Sequence, residues 1–268
     1  MTAMTKSTMI KSTMIKSRLN FVVTRPLNQA NTLIQMLKQH SDGDKNCSVV
    51  HLPLIQIKEL QIQTVKASKL ETKNYNGVVF ISPNAVTTAY NQLSMKEWAN
   101  LIQVPLFTVG SSTAETLKNF SNATVIKIPQ QMNTDGLLEL PELCHVSEES
   151  WLIIKGVGGR EKLKNTLVKR GANVTELCTY KRIKPSDEMT KNIALHLKND
   201  AIWIITSVQA IKNLDTVVKK LDFNPDCRII VSSDRIKQSA INLGLNVIAV
   251  ANDATDKQLI NCIRELKL

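Results

Sequence analysis

Residues 151–174, WLIIKGVGGREKLKNTLVKRGANV, predict a buried strand, a glycine-rich turn and a helix. The segment WLIIK is apolar as far as its lysine, as is typical of a strand covered on both faces. GVGG supplies turn residues, and Leu163, Leu167 and Val168 are spaced to form one apolar helix face. A phosphate-binding loop has the same layout. The stretch therefore predicts an α/β unit whose turn could bind an anion.

The same pattern recurs along the whole chain. Short, β-branched, apolar runs alternate with stretches of helical spacing, which favours parallel sheets covered by helices. The predicted strands are 20–24, 48–52, 77–81, 105–109, 123–128, 151–155, 173–180, 201–206, 227–231 and 246–251. The predicted fold class is α/β.

The chain also contains an internal repeat. VVFISPNAVTTAYNQL (78–93) resembles WIITSVQAIKNLDTV (203–217), and FTVGSSTAETL (107–117) resembles IIVSSDRIKQSA (229–240). The opening unit VVTRPLNQANTLIQML corresponds in the same way to IIKGVGGREKLKNTLV. A constant offset of roughly 120–130 residues is typical of a duplicated module. We therefore predict two similar domains, which leave a cleft of the kind where ligands usually bind.

Composition narrows the kinds of partner. Hydrophobic residues make up 43% and charged residues 21% of the chain, which indicates a folded protein. The formal net charge of +11 either keeps a basic surface soluble or attracts an anionic ligand. Aromatic residues are only 4%, and no zinc-finger or basic-zipper pattern occurs, so nucleic acid is not the expected anion.

Residues 1–19 are predicted to form a disordered basic tail, because they carry lysine and arginine but no acid and repeat the segment KSTMI. They lack the apolar stretch of a secretion signal, and no run in the chain approaches the ~20 residues of a membrane span. The five scattered cysteines suit a reducing compartment. The four histidines show no ligand spacing, so no metal is expected. These features predict a cytoplasmic protein.

Small or hydroxyl residues occupy the turns where predicted strands lead into helices. Helix N-termini present unpaired N–H groups and partial positive charge, which suit carboxylate or phosphate, although serine and threonine there can be simple helix caps. The nucleotide alternative fails in detail. GVGGRE has Glu161 where a dinucleotide motif needs its third glycine, and the Gly-Lys-Ser/Thr of a Walker loop is absent.

Two extended stretches, 51–60 and 178–185, interrupt the alternation of strands and helices and could connect the domains. Tyr180 ends the predicted strand NVTELCTY and lies within the second of these stretches. Its hydroxyl could serve as a general acid or orienting donor, or its ring could simply pack at a hinge.

The ordered set of motifs resembles one known family. VVTRP, FISPNAV, FTVGSSTA, IIKGVGGRE followed by CTYKR, IITSVQAI and VSSDRIKQSAINLGLNV occur in the order and spacing typical of uroporphyrinogen-III synthase, in its proteobacterial form. The resemblance runs from about Asn20 to Ile263. No single motif is very specific, but their succession is.

The resemblance implies two α/β domains of parallel sheet flanked by helices, joined by a two-stranded connector. The implied domains are 20–52 with 186–268 and 58–176, and the implied connector strands are 53–57 and 177–185. It also implies a cofactor-independent, monomeric enzyme that cyclises hydroxymethylbilane, inverting ring D and releasing water. A transient contact with hydroxymethylbilane synthase, which supplies this substrate, is a further expectation.

Within that family Tyr180 corresponds to the expected catalytic tyrosine. The expected substrate-binding residues are Thr24, Arg25, Ser82, Asn84, Gly110, Thr113, Gly156, Gly158, Arg160, Thr206, Ser207, Ser233 and Arg235. Two alternatives remain open at this point: a non-catalytic binder of anionic tetrapyrroles, and a structural partner of hydroxymethylbilane synthase.

Overall fold

The computed structural model of the chain describes residues 19–41, 47–62, 75–122, 125–159, 161–198, 200–221 and 226–266. These residues form two compact units. Unit 1 contains the described residues up to Ile55 and those from Pro185 onward, and unit 2 is Gln56–Lys184. The chain therefore enters unit 2 once and leaves it once, which makes unit 1 discontinuous.

The strands and helices alternate along most of the described chain. The strands are β1 (Leu19–Val23), β2 (Cys47–His51), β3 (Gln56–Glu59), β4 (Gly77–Phe80), β5 (Leu106–Thr108), β6 (Ile126–Lys127), β7 (Ser150–Gly156), β8 (Asn173–Ile183), β9 (Ile202–Ile205), β10 (Arg228–Val231) and β11 (Val247–Val250). The helices are α1 (Leu27–Ser41), α2 (Pro83–Gln92), α3 (Met95–Leu101), α4 (Ser111–Phe120), α5 (Thr134–Leu138), α6 (Pro141–Cys144), α7 (Lys162–Lys169), α8 (Asp187–Leu197), α9 (Val208–Val218), α10 (Asp234–Ile241) and α11 (Asp256–Glu265). None of these described helices is long and apolar enough to cross a membrane.

Unit 1 is built on a parallel sheet with strand order β11-β10-β9-β1-β2. The apolar side chains of β1, β9 and β10, among them Val23 and Ile204, pack against residues such as Leu33 and Leu259 of the flanking helices. From β1 the chain runs outward to β2, whereas β9 lies on the other side of β1. The order of the strands therefore reverses between β1 and β9, where open α/β sheets bind ligands.

Unit 2 has the strand order β3-β8-β7-β4-β5-β6, in which only the pairing of β3 with β8 is antiparallel. Alternate residues of its strands enter two separate cores: Leu152 and Ile154 join one cluster, and Trp151 and Ile153 join the other. Because successive strand residues point to opposite faces, both faces of the sheet are covered. Here the strand order reverses between β4 and β7.

The two sheets repeat one plan. Strands β9, β10, β11, β1 and β2 of unit 1 occupy the same relative positions as β4, β5, β6, β7 and β8 of unit 2. This correspondence between the units matches the internal repeat found in the sequence, since the segment 203–217 begins in β9 and the segment 78–93 begins in β4. The predicted α/β class with two similar domains is confirmed.

Two details differ from the sequence-based expectation. Leu19, assigned to the basic tail, is the first residue of β1, where it pairs with Cys47; residues 1–18 lie outside the described residues. The strand predicted to end at Tyr180 continues to Ile183, because β3 supplies an antiparallel partner for its last residues. The predicted connector segments thus overlap the β3–β8 pair of unit 2, and their role as connectors stays a prediction.

Candidate active site

A pocket of about 200 Å³ opens in unit 2 at the carboxyl ends of β4 and β7, where the strand order reverses. Ligands bind at this position in open α/β sheets. The pocket has apolar walls with several charged or hydroxyl groups. It is lined by Ile81, Thr134, Ile153, Lys155, Gly156, Gly158, Gly159, Leu163, Lys164, Glu176, Tyr180 and Arg182.

Tyr180 is held in this pocket by polar contacts on its hydroxyl. Its side chain is only 1% exposed, and the hydroxyl oxygen lies 2.9 Å from Ser82 Oγ. Arg182 donates from Nη2 to the same oxygen over 3.4 Å, and its guanidinium carbon lies 5.8 Å from the centre of the ring. A buried tyrosine hydroxyl with a hydroxyl and a guanidinium beside it is suited to donating a proton and stabilising the resulting anion.

Gly156 makes room for the Tyr180 ring. The register between β7 and β8 shifts after Lys155, so that Lys155 pairs with Cys178 and Gly156 pairs with Tyr180. A Cβ atom at Gly156 would lie 2.6 Å from Tyr180 Cζ, far inside van der Waals contact. The ring therefore fills the space that a side chain would need. Contact of Gly156 with substrate stays a prediction.

The turn after Gly156 has the geometry that its glycines predict. Gly158 and Gly159 have φ angles of +76° and +95°, in the left-handed region that favours glycine. Among the described residues other than the chain neighbours of each glycine, no atom lies within 4 Å of the place where its Cβ would project, so these open sides could admit a ligand. Arg160, predicted to bind substrate, lies outside the described residues.

A charged network that the sequence analysis did not single out lies against the pocket. Lys155 is only 8% exposed, and its Nζ lies 2.8 Å from Glu176 Oε1 and 3.1 Å from Glu161 Oε1. Lys164 Nζ lies 2.9 Å from Glu176 Oε2. The sequence feature that could have indicated this network is a charged residue within a predicted apolar strand. Lys155 ends the segment WLIIK, and Glu176 interrupts NVTELCTY. Buried charges of this kind are paired or functional.

The network keeps its members charged. Burial by itself lowers the pKa of Lys155, but its hydrogen bonds with Glu176 and Glu161 outweigh burial and leave the pKa raised. Burial likewise works to raise the pKa of Glu176, but hydrogen bonds from Lys155 and Lys164 outweigh it, and the pKa is lowered. Lys155 is therefore an ammonium and Glu176 a carboxylate at neutral pH.

The other predicted residues of unit 2 lie at starts of helices. Ser82 caps α2, its Oγ accepting a hydrogen bond from the Ala85 N–H. Asn84 and Thr113 are buried in the first turns of α2 and α4, and Gly110 is the extended N-cap of α4. Ser82 contacts Tyr180 through its Oγ, and none of these four residues is among those that line the pocket.

In unit 1, Thr24 and Arg25 hold the carboxyl edge of the sheet together. Thr24 Oγ1 donates to the carbonyl of Ile204. Arg25, 9% exposed, donates to Asp256 Oδ1 over 2.5 Å, to the carbonyl oxygen of Ala254, and to Thr206 Oγ1 over 3.3 Å. Its guanidinium is therefore engaged within the unit, and binding of substrate by Thr24, Arg25 and Thr206 stays a prediction.

The remaining predicted residues of unit 1 are the starts of two helices. Ser207 caps α9, where its side chain accepts from the Ala210 N–H. Ser233 is the N-cap residue of α10 and makes no side-chain cap bond, and Arg235 in the first turn is exposed. These residues present N–H groups and a cation at the edge of the sheet.

The fold and the pocket together define a two-unit α/β protein with a cation-lined pocket beside a buried tyrosine. Comparison with known proteins specifies the family. Residues 29–261 match the family model HEM4, described as uroporphyrinogen-III synthase HemD. The uroporphyrinogen-III synthase of Proteus mirabilis is 34% identical over 185 residues, covering 68% of this chain and 88% of that protein. That of Escherichia coli K12 is 26% identical over 253 residues, covering 92% of this chain and 100% of the relative.

Solved structures agree on the fold. The uroporphyrinogen-III synthetase of Helicobacter pylori 26695 superposes with a TM-score of 0.59 at 16% identity, covering 92% of this chain and 100% of the other. A mutant uroporphyrinogen III synthase of Thermus thermophilus gives 0.56 at 13% identity, covering 93% and 99%. The chain therefore belongs to the uroporphyrinogen-III synthase family and is an enzyme of that class, as the sequence resemblance predicted. The alternative of a non-catalytic tetrapyrrole binder is not supported.

Proposed function

We propose that the chain cyclises hydroxymethylbilane to uroporphyrinogen III, with inversion of ring D and loss of water, and that the catalytic group is the Tyr180 hydroxyl in the unit 2 pocket. Family membership supports the reaction. The observation that carries the site is that Tyr180 lines the pocket and that its hydroxyl lies 2.9 Å from Ser82 Oγ and 3.4 Å from Arg182 Nη2.

In the proposed reaction Tyr180 donates its proton to the hydroxyl leaving ring A, which departs as water and leaves a protonated azafulvene, the azafulvenium cation. Arg182 and Ser82 stabilise the phenolate that forms, as preorganised donors do for a developing anion. The substituted carbon of ring D attacks the azafulvene to give a spirocyclic intermediate, which fragments and recloses. The proton lost when the last pyrrole becomes aromatic again returns to the phenolate.

The substrate is a polycarboxylate, and we infer that its carboxylates bind at the carboxyl edges of both sheets. In unit 2 the pocket supplies Lys155, Lys164 and Arg182. In unit 1 the starts of α9 and α10 supply N–H groups, and Arg235 supplies an exposed cation. Several anchors on one flexible chain fix its conformation, which is the orientation part of catalysis.

The observations that support the reaction do not extend to the oligomeric state, the cellular location or the protein partners. A monomeric state, a cytoplasmic location and a transient contact with hydroxymethylbilane synthase stay predictions. A direct test of the contact is crosslinking of the two purified proteins during turnover.

The reaction is tested by isomer analysis. Porphobilinogen and hydroxymethylbilane synthase are incubated with and without this protein, and the products are oxidised and separated. We expect type III porphyrin to replace the type I isomer that forms by uncatalysed closure. Type I porphyrin as the dominant product in the presence of the protein would contradict the proposed reaction.

Tyr180→Phe tests the catalytic group in the same assay. General acid catalysis contributes typically about a hundredfold or more, so we expect kcat to fall by roughly that factor while KM changes little. Some activity should remain, because binding still folds the substrate. Tyr90→Phe is the matched control, since the Tyr90 ring packs against Trp98 and Phe120 outside the pocket. Equal turnover in wild type and Tyr180→Phe would remove Tyr180 from this role.

A further inference from the structure

We propose that the Lys155 ammonium is a carboxylate subsite of the pocket, and that Glu161 is an internal carboxylate which a substrate carboxylate displaces from it. The inference rests on the proposed function, because it names the group of the substrate that this part of the pocket binds. The class of ligand is an acetate or propionate side chain on a pyrrole.

The geometry around Lys155 identifies the subsite. Lys155 lines the pocket although its side chain is only 10% exposed. An ammonium has three donors. Among the described residues two of these are used, by Glu176 over 2.8 Å and by Glu161 over 3.1 Å. Both acceptors are carboxylates, so the site already binds the chemical group that the substrate carries.

The two carboxylates are not equivalent. Glu176 is 20% exposed, belongs to β8 and uses its second oxygen to bind Lys164 over 2.9 Å. Glu161 is 50% exposed and makes the longer of the two bonds to Lys155. Glu176 still accepts a hydrogen bond from the buried ammonium when Glu161 leaves, although it shares its single charge with Lys164, so an incoming carboxylate would restore the balance of two anions and two cations. Glu161 is therefore the carboxylate that can be exchanged at low cost.

The position of Glu161 in the chain favours exchange. It follows the turn that contains Gly158 and Gly159, whose open surroundings are described above. Glu161 is the N-cap residue of α7 but makes no side-chain cap bond, so its carboxylate can leave Lys155 without uncapping the helix. Replacing one carboxylate by another also leaves the buried ammonium paired, which avoids the penalty of an isolated buried charge.

Glu161→Gln tests the competition. Removal of the internal carboxylate should lower KM for hydroxymethylbilane by about two- to fivefold, the range expected for a half-exposed ion pair, with kcat unchanged. Binding of uroporphyrin III, a stable octacarboxylate, should tighten by a similar factor in a fluorescence titration. Glu142→Gln is the matched control, because Glu142 forms a comparable half-exposed pair with Lys127, over 2.8 Å, and does not line the pocket. It should leave both quantities unchanged.

Lys155→Met tests the subsite itself. Loss of the ammonium should raise KM about tenfold, and in this background Glu161→Gln should have no further effect. Thermal unfolding shows whether the variant folds. The Glu161→Gln result decides the proposal even where Lys155→Met does not fold, because that substitution leaves the Lys155–Glu176 pair in place.

The outcomes separate this inference from the proposed function. One outcome is that wild type yields type III porphyrin while Glu161→Gln leaves KM and the affinity for uroporphyrin unchanged, or raises KM and lowers that affinity. In that case Glu161 does not compete with a substrate carboxylate for Lys155, and it only stabilises the turn. If wild type itself yields type I porphyrin, the proposed function fails, whatever the Glu161 variant does to binding.

Discussion

At the scale of single residues, the contact between Gly156 and Tyr180 determines where the candidate acid lies. A register shift sets the tyrosine opposite the glycine, and the missing side chain of the glycine is the space that the ring fills. A glycine that looks like part of an anion-binding turn thus has a packing role toward the tyrosine. In the sequence Gly156 is the first glycine of a turn motif, whereas in the structure a glycine is needed there because the Tyr180 ring occupies the space of a side chain.

Gly156→Ala is expected to destabilise the protein and to slow the reaction. The new methyl group would have to displace the Tyr180 ring, and overpacking of this kind costs about 1–3 kcal/mol. Thermal unfolding and steady-state kinetics measure the two effects. Gly110→Ala is the control for stability, since its Cβ would meet nothing nearer than Met132 Cβ at 3.7 Å. If both variants unfold at the same temperature, the steric argument is wrong.

At the scale of elements, the start of helix α2 links secondary structure to the candidate site. Ser82 Oγ accepts a hydrogen bond from the Ala85 N–H and also lies 2.9 Å from the Tyr180 hydroxyl. One side chain therefore caps the helix and positions the tyrosine. Ser94 caps α3 with a capping box that includes Glu97 and has no contact with the pocket residues in the described contacts.

This pair of caps separates positioning from stability. Ser82→Ala and Ser94→Ala should each lower the free energy of unfolding by about 1 kcal/mol, the usual cost of a lost N-cap. Only Ser82→Ala should also lower kcat, because only Ser82 touches Tyr180. Chemical denaturation and the isomer assay measure the two quantities. Equal kcat values for the two variants would show that the Ser82 contact does not matter for the reaction.

The β7–β8 pair also contributes to the free energy of unfolding in a way that depends on pH. The pKa of Glu176 is lowered from 4.5 in the folded protein, because its bonds with Lys155 and Lys164 outweigh the opposing effect of burial. A lowered carboxyl pKa contributes stability that is fully present above the unfolded value and is lost as pH falls through the folded value.

Glu176→Gln should therefore be less stable than wild type at pH 7, and the difference should shrink as the pH falls below 4.5. Denaturation curves of both proteins across this range provide the test. A difference in the free energy of unfolding that stays constant down to the lowest pH would mean that Glu176 is not charged in the folded protein.

At the scale of the whole molecule, the net charge of +11 predicts how salt affects catalysis. A polyanionic substrate is attracted by this charge, and screening at high ionic strength weakens the attraction. KM should rise at least about threefold between roughly 0.05 M and 0.5 M NaCl, whereas kcat should change less because buried contacts are screened less. Sucrose, which does not screen charge, is the control. A KM independent of salt would contradict an electrostatic role.

Much of the architecture could be predicted, because it depends on local patterns. Each predicted strand segment overlaps an observed strand, and the repeat between segments 78–93 and 203–217 reappears as two sheets with the same strand order. The turn GVGG and the helix after it were likewise predictable from glycine and from apolar spacing. The family followed from the order of the motifs, and the match of residues 29–261 confirms it.

The candidate site could be predicted only as positions along the chain. The sequence indicates both Tyr180 and Ser82 as candidate site residues, but it does not predict that they contact each other. Arg25 is predicted to bind substrate, which stays a prediction, but its hydrogen bonds to Asp256 and Thr206 could not be foreseen. No sequence pattern gives such pairings, because they join residues far apart in the chain.

The sequence by itself therefore determined the α/β class, the duplication and the strand ends where polar residues gather, since each follows from periodicity within a short segment. Only the tertiary structure decided which of these residues meet. The pairing of Gly156 with Tyr180 needs the register shift between β7 and β8, and the Lys155 network needs those strands side by side. Register and strand order are set by packing of the whole sheet, which no short segment contains.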